Sequence, residues 1–270
     1  MRLLSFCRHA ASIAGLAAAL LSPVAGMVVH AAGRDADAGQ PVSQAPAPAT
    51  ADFLFRQPRG LLGVAGGWLV ASQSGEIFDL VRGELTVGER DFDTAAVRFH
   101  VGRSIGPRLD LMAEVGFSRA LINSEYRDLV DQDELPIAQT TELTETPVGG
   151  SLRFWLVPRG RAVGRFAWVP ARVAPYVGLG GGTRRYRFIQ FGDFVDFVDQ
   201  SIFTDTLESS GWAASGHVFA GTSVNVSRPL FIDIEARYVW ANTPLAGNFV
   251  GFDNIDLNGL QITGGVTFVF

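Results

Sequence analysis

Two polar residues, Ser215 and His217, have the side-chain types of a nucleophile and its general base. If they lie on a β-strand, residues two apart share one face. Asp233 or Glu235, in a later segment, would supply a carboxylate to orient the imidazole. Together these groups would suit hydrolytic chemistry, provided that they meet in space.

A second set of charged residues alternates with apolar residues, since most of its members have an apolar residue on each side. The set comprises Arg98, Asp110, Glu114, Arg153, Arg184, Asp233, Glu235 and Arg237. Charges buried inside a protein are costly unless they are paired. If these side chains share an interior, we therefore predict an Arg–carboxylate network that fills it. We expect no metal and no cofactor, because no two histidines have metal-ligand spacing and the one cysteine, Cys7, lies near the N-terminus.

The elements that would position these residues are β-strands. In residues 260–270, Leu260, Ile262, Val266 and Phe268 fall on one face and Gln261, Thr263 and Thr267 on the other. Eight segments with this alternation follow one another, and an even number of strands lets both chain termini lie on one side of the barrel. They cover residues 60–71, 95–101, 109–118, 148–156, 172–186, 212–226, 231–240 and 260–270.

Composition and the N-terminal segment restrict the class of protein. The chain has 270 residues, of which 47% are hydrophobic and 18% charged, and its net charge is −5. The sequence has no run of basic residues with interleaved aromatic residues, the pattern that would indicate nucleic-acid binding. Residues 1–32 have the basic start, apolar core and small-residue end of a secretory signal peptide. Residues 33–59, rich in Ala, Pro and Gln, predict a flexible periplasmic leader. The barrel is expected over residues 60–270.

The fold class we predict is an all-β, eight-stranded, antiparallel up-and-down transmembrane β-barrel behind an N-terminal signal peptide. The apolar faces are nearly uncharged, and the last segment, residues 260–270, is long enough to cross a bilayer when tilted. Connections alternate between short turns and long segments, the long ones being residues 72–93, 119–146, 188–208 and 242–258. Residues 157–170 break this alternation. The long segments are acidic and are expected to form extracellular loops.

Three stretches resemble the OmpA-like and OmpW-like outer-membrane β-barrel domain family. They are residues 175–182, the strand containing Glu235 to Tyr238, and residues 256–261 leading to the terminal Phe270. The resemblance implies an eight-stranded barrel in the outer membrane of a Gram-negative bacterium. It also implies that the barrel-assembly machinery recognises the C-terminal signal formed by Phe268 and Phe270. It does not imply one activity, since a fold does not determine function.

Two functions remain open. The first is a non-enzymatic structural or surface-interaction role in which the acidic loops contact lipid, lipopolysaccharide or host. The second is an OmpW-like transport barrel for small or hydrophobic solutes. An enzyme that modifies lipid A is a distant third, because the order Ser-Gly-His differs from the His-x-Ser of barrel-borne deacylases and strand parity turns Ser215 and His217 inward. We expect a monomer without nucleic-acid partners, and lipid-phosphate contacts at Arg184, Arg185 and Arg187.

Overall fold

Most of the described part of the chain is β-strand, with side chains that alternate between the two faces of each strand. The computed structural model describes residues 53–196, 198–199 and 201–270, so the predicted signal peptide and most of the predicted leader lie outside the described residues. The strands are β1 (Leu54–Phe55), β2 (Gly60–Ala71), β3 (Thr94–Ser104), β4 (Leu109–Val130), β5 (Pro136–Trp155), β6 (Gly160–Val163), β7 (Ala167–Pro170), β8 (Val173–Val195), β9 (Ile202–Ser227), β10 (Leu230–Thr243), β11 (Ile255–Asp256) and β12 (Gly259–Val269). One α-helix, α1, spans Glu76–Glu84, and a 3-10 helix spans Gly247–Phe249.

Eight of these strands close into a barrel. Their order around the wall is β10, β12, β2, β3, β4, β5, β8 and β9, and β9 pairs again with β10. The last strand joins the first, because Val266 of β12 lies opposite Ile232 of β10 on one side and Val64 of β2 on the other. Neighbouring strands are antiparallel throughout. The predicted eight-stranded antiparallel barrel is confirmed.

The two ends of the barrel differ. We call the end with the short connections, residues 105–108 and 228–229, the turn end, and the opposite end the loop end. At the loop end, two strand pairs, β4–β5 and β8–β9, continue far past their neighbours as long hairpins. The prediction of long loops at residues 119–146 and 188–208 was therefore wrong. Along these extensions polar residues such as Arg119, Arg185 and Arg187 face outward, so the pattern resembles that of a loop.

An apolar cluster closes the loop end of the barrel. Helix α1 buries Ile77, Phe78 and Val81 against inward-facing residues of the hairpins, including Phe188. The 3-10 helix adds Phe249, whose ring packs edge-on against that of Phe188 with 5.3 Å between the ring centroids. These contacts form the loop-end plug, made of chain segments that the sequence predicted as loops.

A second apolar cluster closes the turn end. Strands β6 and β7 form a hairpin that pairs with β1, and this hairpin accounts for the long connection at residues 157–170. Trp168 of β7 is only 3% exposed and packs with inward-facing residues such as Trp155 and Phe231. Leu54 also packs there, so the end of the predicted flexible leader is in fact folded. We call this cluster the turn-end plug.

The outer wall of the barrel is apolar along the part that all eight strands share. Large side chains such as Leu62, Leu111 and Ile234 are more than half exposed, while their sequence neighbours on the opposite face are buried. In the described ranges, no helix is both long and apolar enough to span a membrane.

Candidate functional site

The polar face of the strands points into the lumen, where Glu235 of β10 is the centre of an ionic layer. One carboxylate oxygen accepts hydrogen bonds from Arg98 Nη2 at 2.8 Å and from Arg237 Nε at 3.1 Å. The other accepts from the Tyr176 hydroxyl at 3.1 Å and lies 3.8 Å from Arg153 Nη2. Arg98 of β3 and Arg153 of β5, which are far from β10 in sequence, therefore meet Arg237 of β10 itself around one carboxylate.

Glu114 of β4 is the second carboxylate of this layer. It accepts hydrogen bonds from Arg237, at 3.1 Å for the Nη2–Oε1 pair, and from the hydroxyl of Ser151. Arg237 thus links Glu114 to Glu235 across the lumen and also lies 4.7 Å from the centre of the Phe219 ring.

Two further carboxylates lie toward the turn end. Asp110 accepts a hydrogen bond from Trp155 Nε1 at 2.8 Å and lies 3.6 Å from Arg159 Nη1. Asp233 accepts a hydrogen bond from the Thr267 hydroxyl, which lies 3.1 Å from His100 Nε2. His100 is therefore bound within this network.

The predicted lumen residues are all buried, and Arg184 corrects another prediction. Arg184 is 2% exposed and pairs inside the barrel with Glu145, so its predicted contact with lipid phosphate was wrong. Arg185 and Arg187 do face outward, because they lie one and three residues after the inward-facing Arg184 and therefore on the other face of β8. Arg187 forms an ion pair with Glu208 by donating two hydrogen bonds to its carboxylate. These hydrogen bonds lower the pKa of the Glu208 carboxyl below its ordinary value.

The sequence reasoning missed Glu145 and Arg159. Glu145 was assigned to an acidic loop, although its parity continues the inward row of β5. Arg159 lies just after β5, and only the turn-end plug brings it to Asp110. With both included, the described residues place five arginines and five carboxylates in the lumen. They are Arg98, Arg153, Arg159, Arg184 and Arg237, with Asp110, Glu114, Glu145, Asp233 and Glu235. Opposite charges therefore balance within the interior.

A cavity of about 40 Å³ remains between the ionic layer and the loop-end plug. Its lining includes Arg98, Glu114, Arg184, Ser215 and His217. A space of this size holds a few water molecules, since a cavity of ~10–15 Å³ admits one. The volume therefore fits solvent and not a bound organic substrate.

Ser215 and His217 line this cavity, as their parity predicted, but the structure does not join them into a catalytic set. His217 Nε2 is buried without a hydrogen-bond partner among the described residues. Asp233 accepts its hydrogen bond from Thr267, and Glu235 is held by arginines and Tyr176. In the part of the chain that the structure describes, no three His, Cys, Asp or Glu side chains form a group suited to a metal ion.

Comparisons with known proteins give structural matches alone. No family model matches the sequence, and no curated protein matches it either. Among solved structures, outer membrane protein OprG from Pseudomonas aeruginosa aligns over 80% of this chain and 99% of that chain, with a TM-score of 0.43 and 11% identity. Neisserial surface protein A aligns over 78% and 96%, with a TM-score of 0.39 and 12% identity.

Outer membrane protein AlkL, solved in lipid bilayers, aligns over 90% of this chain and 97% of that chain, with a TM-score of 0.37 and 14% identity. The similarity in each case is low. The fold of this chain is established by its own closed ring of strands.

Proposed function

We propose that this protein is a monomeric, non-enzymatic outer-membrane barrel of a Gram-negative bacterium, with a structural or surface-interaction role. The observation that carries the proposal is the lumen, whose described charges balance, which side chains fill except for a cavity of about 40 Å³, and which an apolar plug closes at each end. An interior built in this way holds the wall together and leaves the loop end as the surface available to other molecules.

The outer wall supports a location in a bilayer. Leu62 is 55% exposed, Leu111 51% and Ile234 58%, whereas the charged residues next to Leu111 and Ile234, which are Asp110, Asp233 and Glu235, are buried inside. In water such a continuous apolar belt would cost on the order of 25 cal/mol for each Å² left exposed. Hydrocarbon removes that cost, and the closed ring leaves no unpaired strand edge in the lipid.

The filling of the lumen supports a structural role over conduction. Eight strands enclose a space that side chains can fill. Here the ionic layer occupies the middle, and the two apolar plugs cover it above and below. Ions would have to displace Arg237 from both of its carboxylate partners to pass.

The loop end supports a surface-interaction role. The long hairpins β4–β5 and β8–β9 hold their tips on a rigid double-stranded base. Nineteen carboxylates and six arginines of the described residues lie at this end, outside the lumen. We propose that this acidic surface attracts divalent cations that bridge it to anionic lipopolysaccharide.

Electrical recording tests the structural part of the proposal. The mature chain, refolded and inserted into planar bilayers, is expected to give no steady ion conductance at neutral pH. A steady conductance that Arg98→Gln or Arg237→Gln abolishes would contradict the proposal and favour a transport function.

Lipopolysaccharide binding tests the surface part. The variant Asp128→Asn/Asp133→Asn/Glu134→Gln removes tip charges but keeps Asp131, whose carboxylate accepts the backbone N–H groups of Asp133 and Leu135 and holds the turn. We expect Ca²⁺-dependent association with lipopolysaccharide vesicles to weaken in this variant and to disappear in EDTA. Unchanged association would end the cation-bridging proposal.

A transport function is the second candidate, favoured by a break in the wall. The pairing of β4 with β5 is interrupted where Gly116 and Phe117 face Thr146 and Pro147. Proline has no N–H to donate to the ladder. The lumen cavity reaches this break, since Gly116, Phe117 and Pro147 are among its lining residues. An apolar solute could exchange here between the lumen and the bilayer once the cavity widens.

The variant Pro147→Val restores a donor at the break and tests this candidate. If the break serves transport, Pro147→Val should slow the entry of 1-N-phenylnaphthylamine into cells that carry the protein, whereas Pro136→Val, at the far end of β5, should not. Equal entry with both variants and with the vector alone would remove the transport candidate.

A further inference from the structure

The arginines outside the lumen are distributed unevenly between the two ends of the barrel. Five of them follow the rim of the wall at the turn end: Arg59, Arg103, Arg108, Arg172 and Arg228. Three more lie on the segment before β2 and on the β6–β7 hairpin: Arg56, Arg161 and Arg165. Of the described acidic side chains, Asp110 and Asp233 lie toward this end, and both are buried and hydrogen-bonded inside the lumen. The exposed turn end therefore carries eight arginine side chains and no exposed acidic side chain among the described residues.

The side chains of these eight arginines have no polar partner among the residues that the structure describes. None makes an ion pair or a side-chain hydrogen bond with another residue in the described ranges, whereas Arg82, Arg119 and Arg187 at the loop end are all paired. Their backbones, in contrast, are held. Arg59 N–H donates to Phe270 O at 2.9 Å, and the carbonyl of Arg108 accepts from Trp155 N–H at 2.9 Å. The rim thus presents cationic groups from strand ends whose backbones are hydrogen-bonded.

The rim lies directly beneath the lipid-facing belt. Arg103 continues the outward row of β3, following Phe99 and Val101, which are 54% and 51% exposed. Beside it is a surface depression of about 520 Å³ between Arg59 and Arg103, bordered by Ile105, which is 57% exposed. An apolar side chain next to two guanidinium groups at the end of a membrane strand suits an amphiphile, with its phosphate on the arginines and its chains toward the belt.

Folding does not require this arrangement, because like charges on one rim repel each other and make no contacts that stabilise the wall. Guanidinium groups bind phosphate with paired, charge-assisted hydrogen bonds. We propose that the turn-end arginines bind the headgroups of anionic phospholipids in the periplasmic leaflet, with the depression between Arg59 and Arg103 as the principal site. This inference rests on the proposed outer-membrane location and adds a lipid class to it.

Lipid selectivity in nanodiscs tests the proposal. The mature chain is refolded in nanodiscs that contain spin-labelled phosphatidylglycerol or spin-labelled phosphatidylcholine, and the fraction of immobilised label is measured. We expect a preference for phosphatidylglycerol that falls on the order of fivefold in Arg59→Gln/Arg103→Gln/Arg108→Gln and weakens with salt. The matched variant Arg82→Gln/Arg90→Gln/Arg127→Gln removes the same charge at the loop end and should keep the preference.

Each other outcome contradicts a defined part of the reasoning. A chain that inserts, as judged by a heat-modifiable gel shift, but binds both lipids equally overturns the lipid inference alone. A chain that inserts into no bilayer overturns the proposed location as well. Co-sedimentation with purified peptidoglycan that depends on the rim arginines, without lipid preference, would assign the rim to an anionic polymer and overturn the lipid proposal.

Discussion

The substitution Glu235→Gln tests whether the ionic layer stabilises the barrel. Glutamine keeps the shape and one acceptor oxygen but removes the charge that faces Arg98, Arg153 and Arg237. The Glu235 side chain is 3% exposed, so water cannot replace the lost charge. Breaking a buried ion pair by removing one partner costs about 3–5 kcal/mol, and since the amide retains part of the hydrogen bonding we expect a loss of about 3 kcal/mol.

The assay is urea unfolding of the barrel in phosphatidylcholine vesicles, followed by tryptophan fluorescence. The matched control is Glu142→Gln, which breaks an outward pair with Arg119, whose side chain is 52% exposed. A pair of this kind contributes about 0–1 kcal/mol. The double variant Arg98→Gln/Glu235→Gln restores a neutral lumen and should recover about 1–2 kcal/mol relative to the sum of the single changes. If Glu235→Gln costs no more than Glu142→Gln, the ionic layer does not hold the barrel together.

Three further outcomes are expected. Because Arg187 lowers the pKa of Glu208 in the folded state, their ion pair is present at neutral pH and is lost as the pH falls through that pKa. Acidification below about pH 4 should therefore increase amide hydrogen exchange in the β8–β9 hairpin. The increase should be smaller in Glu208→Gln, which has no carboxylate to protonate at this position. Trp168→Ala should cost about 3 kcal/mol of unfolding free energy by emptying the turn-end plug, and an unchanged urea midpoint would show that the hairpin is not packed there. Mass spectrometry of lipid A should give the same spectrum from cells with the wild-type chain or with His217→Ala, and a mass change that depends on His217 would contradict the non-enzymatic proposal.

The wall of the barrel was predictable because lipid and lumen impose opposite demands on alternate residues. Along β10, Ile232 and Ile234 face outward, and Asp233 and Glu235 face inward, so one segment reveals both faces. The same alternation identified the inward row that forms the ionic layer. It required no knowledge of which strands are neighbours.

The hairpin extensions were not predictable in the same way, because polarity inverts above the bilayer. In β4, the inward residues Ala120 and Ile122 are buried, while the outward Arg119 meets water. The period of two persists, but the apolar residues now mark the inside. A rule that places apolar residues outside therefore interprets this stretch as a loop, and it also assigned Glu145 to that loop.

Local residue order was sufficient for strand number, strand parity and the identity of most lumen charges, since a strand's two faces are set by the residues next to each other along the chain. Which charges meet was decided by ring closure, which brings Arg98 of β3 within 2.8 Å of Glu235 of β10 across the lumen. Ring closure also determined what closes the two ends, because helix α1 and Trp168 pack against side chains contributed by distant strands. Contacts of this kind depend on distances through space, and no spacing along the chain encodes them.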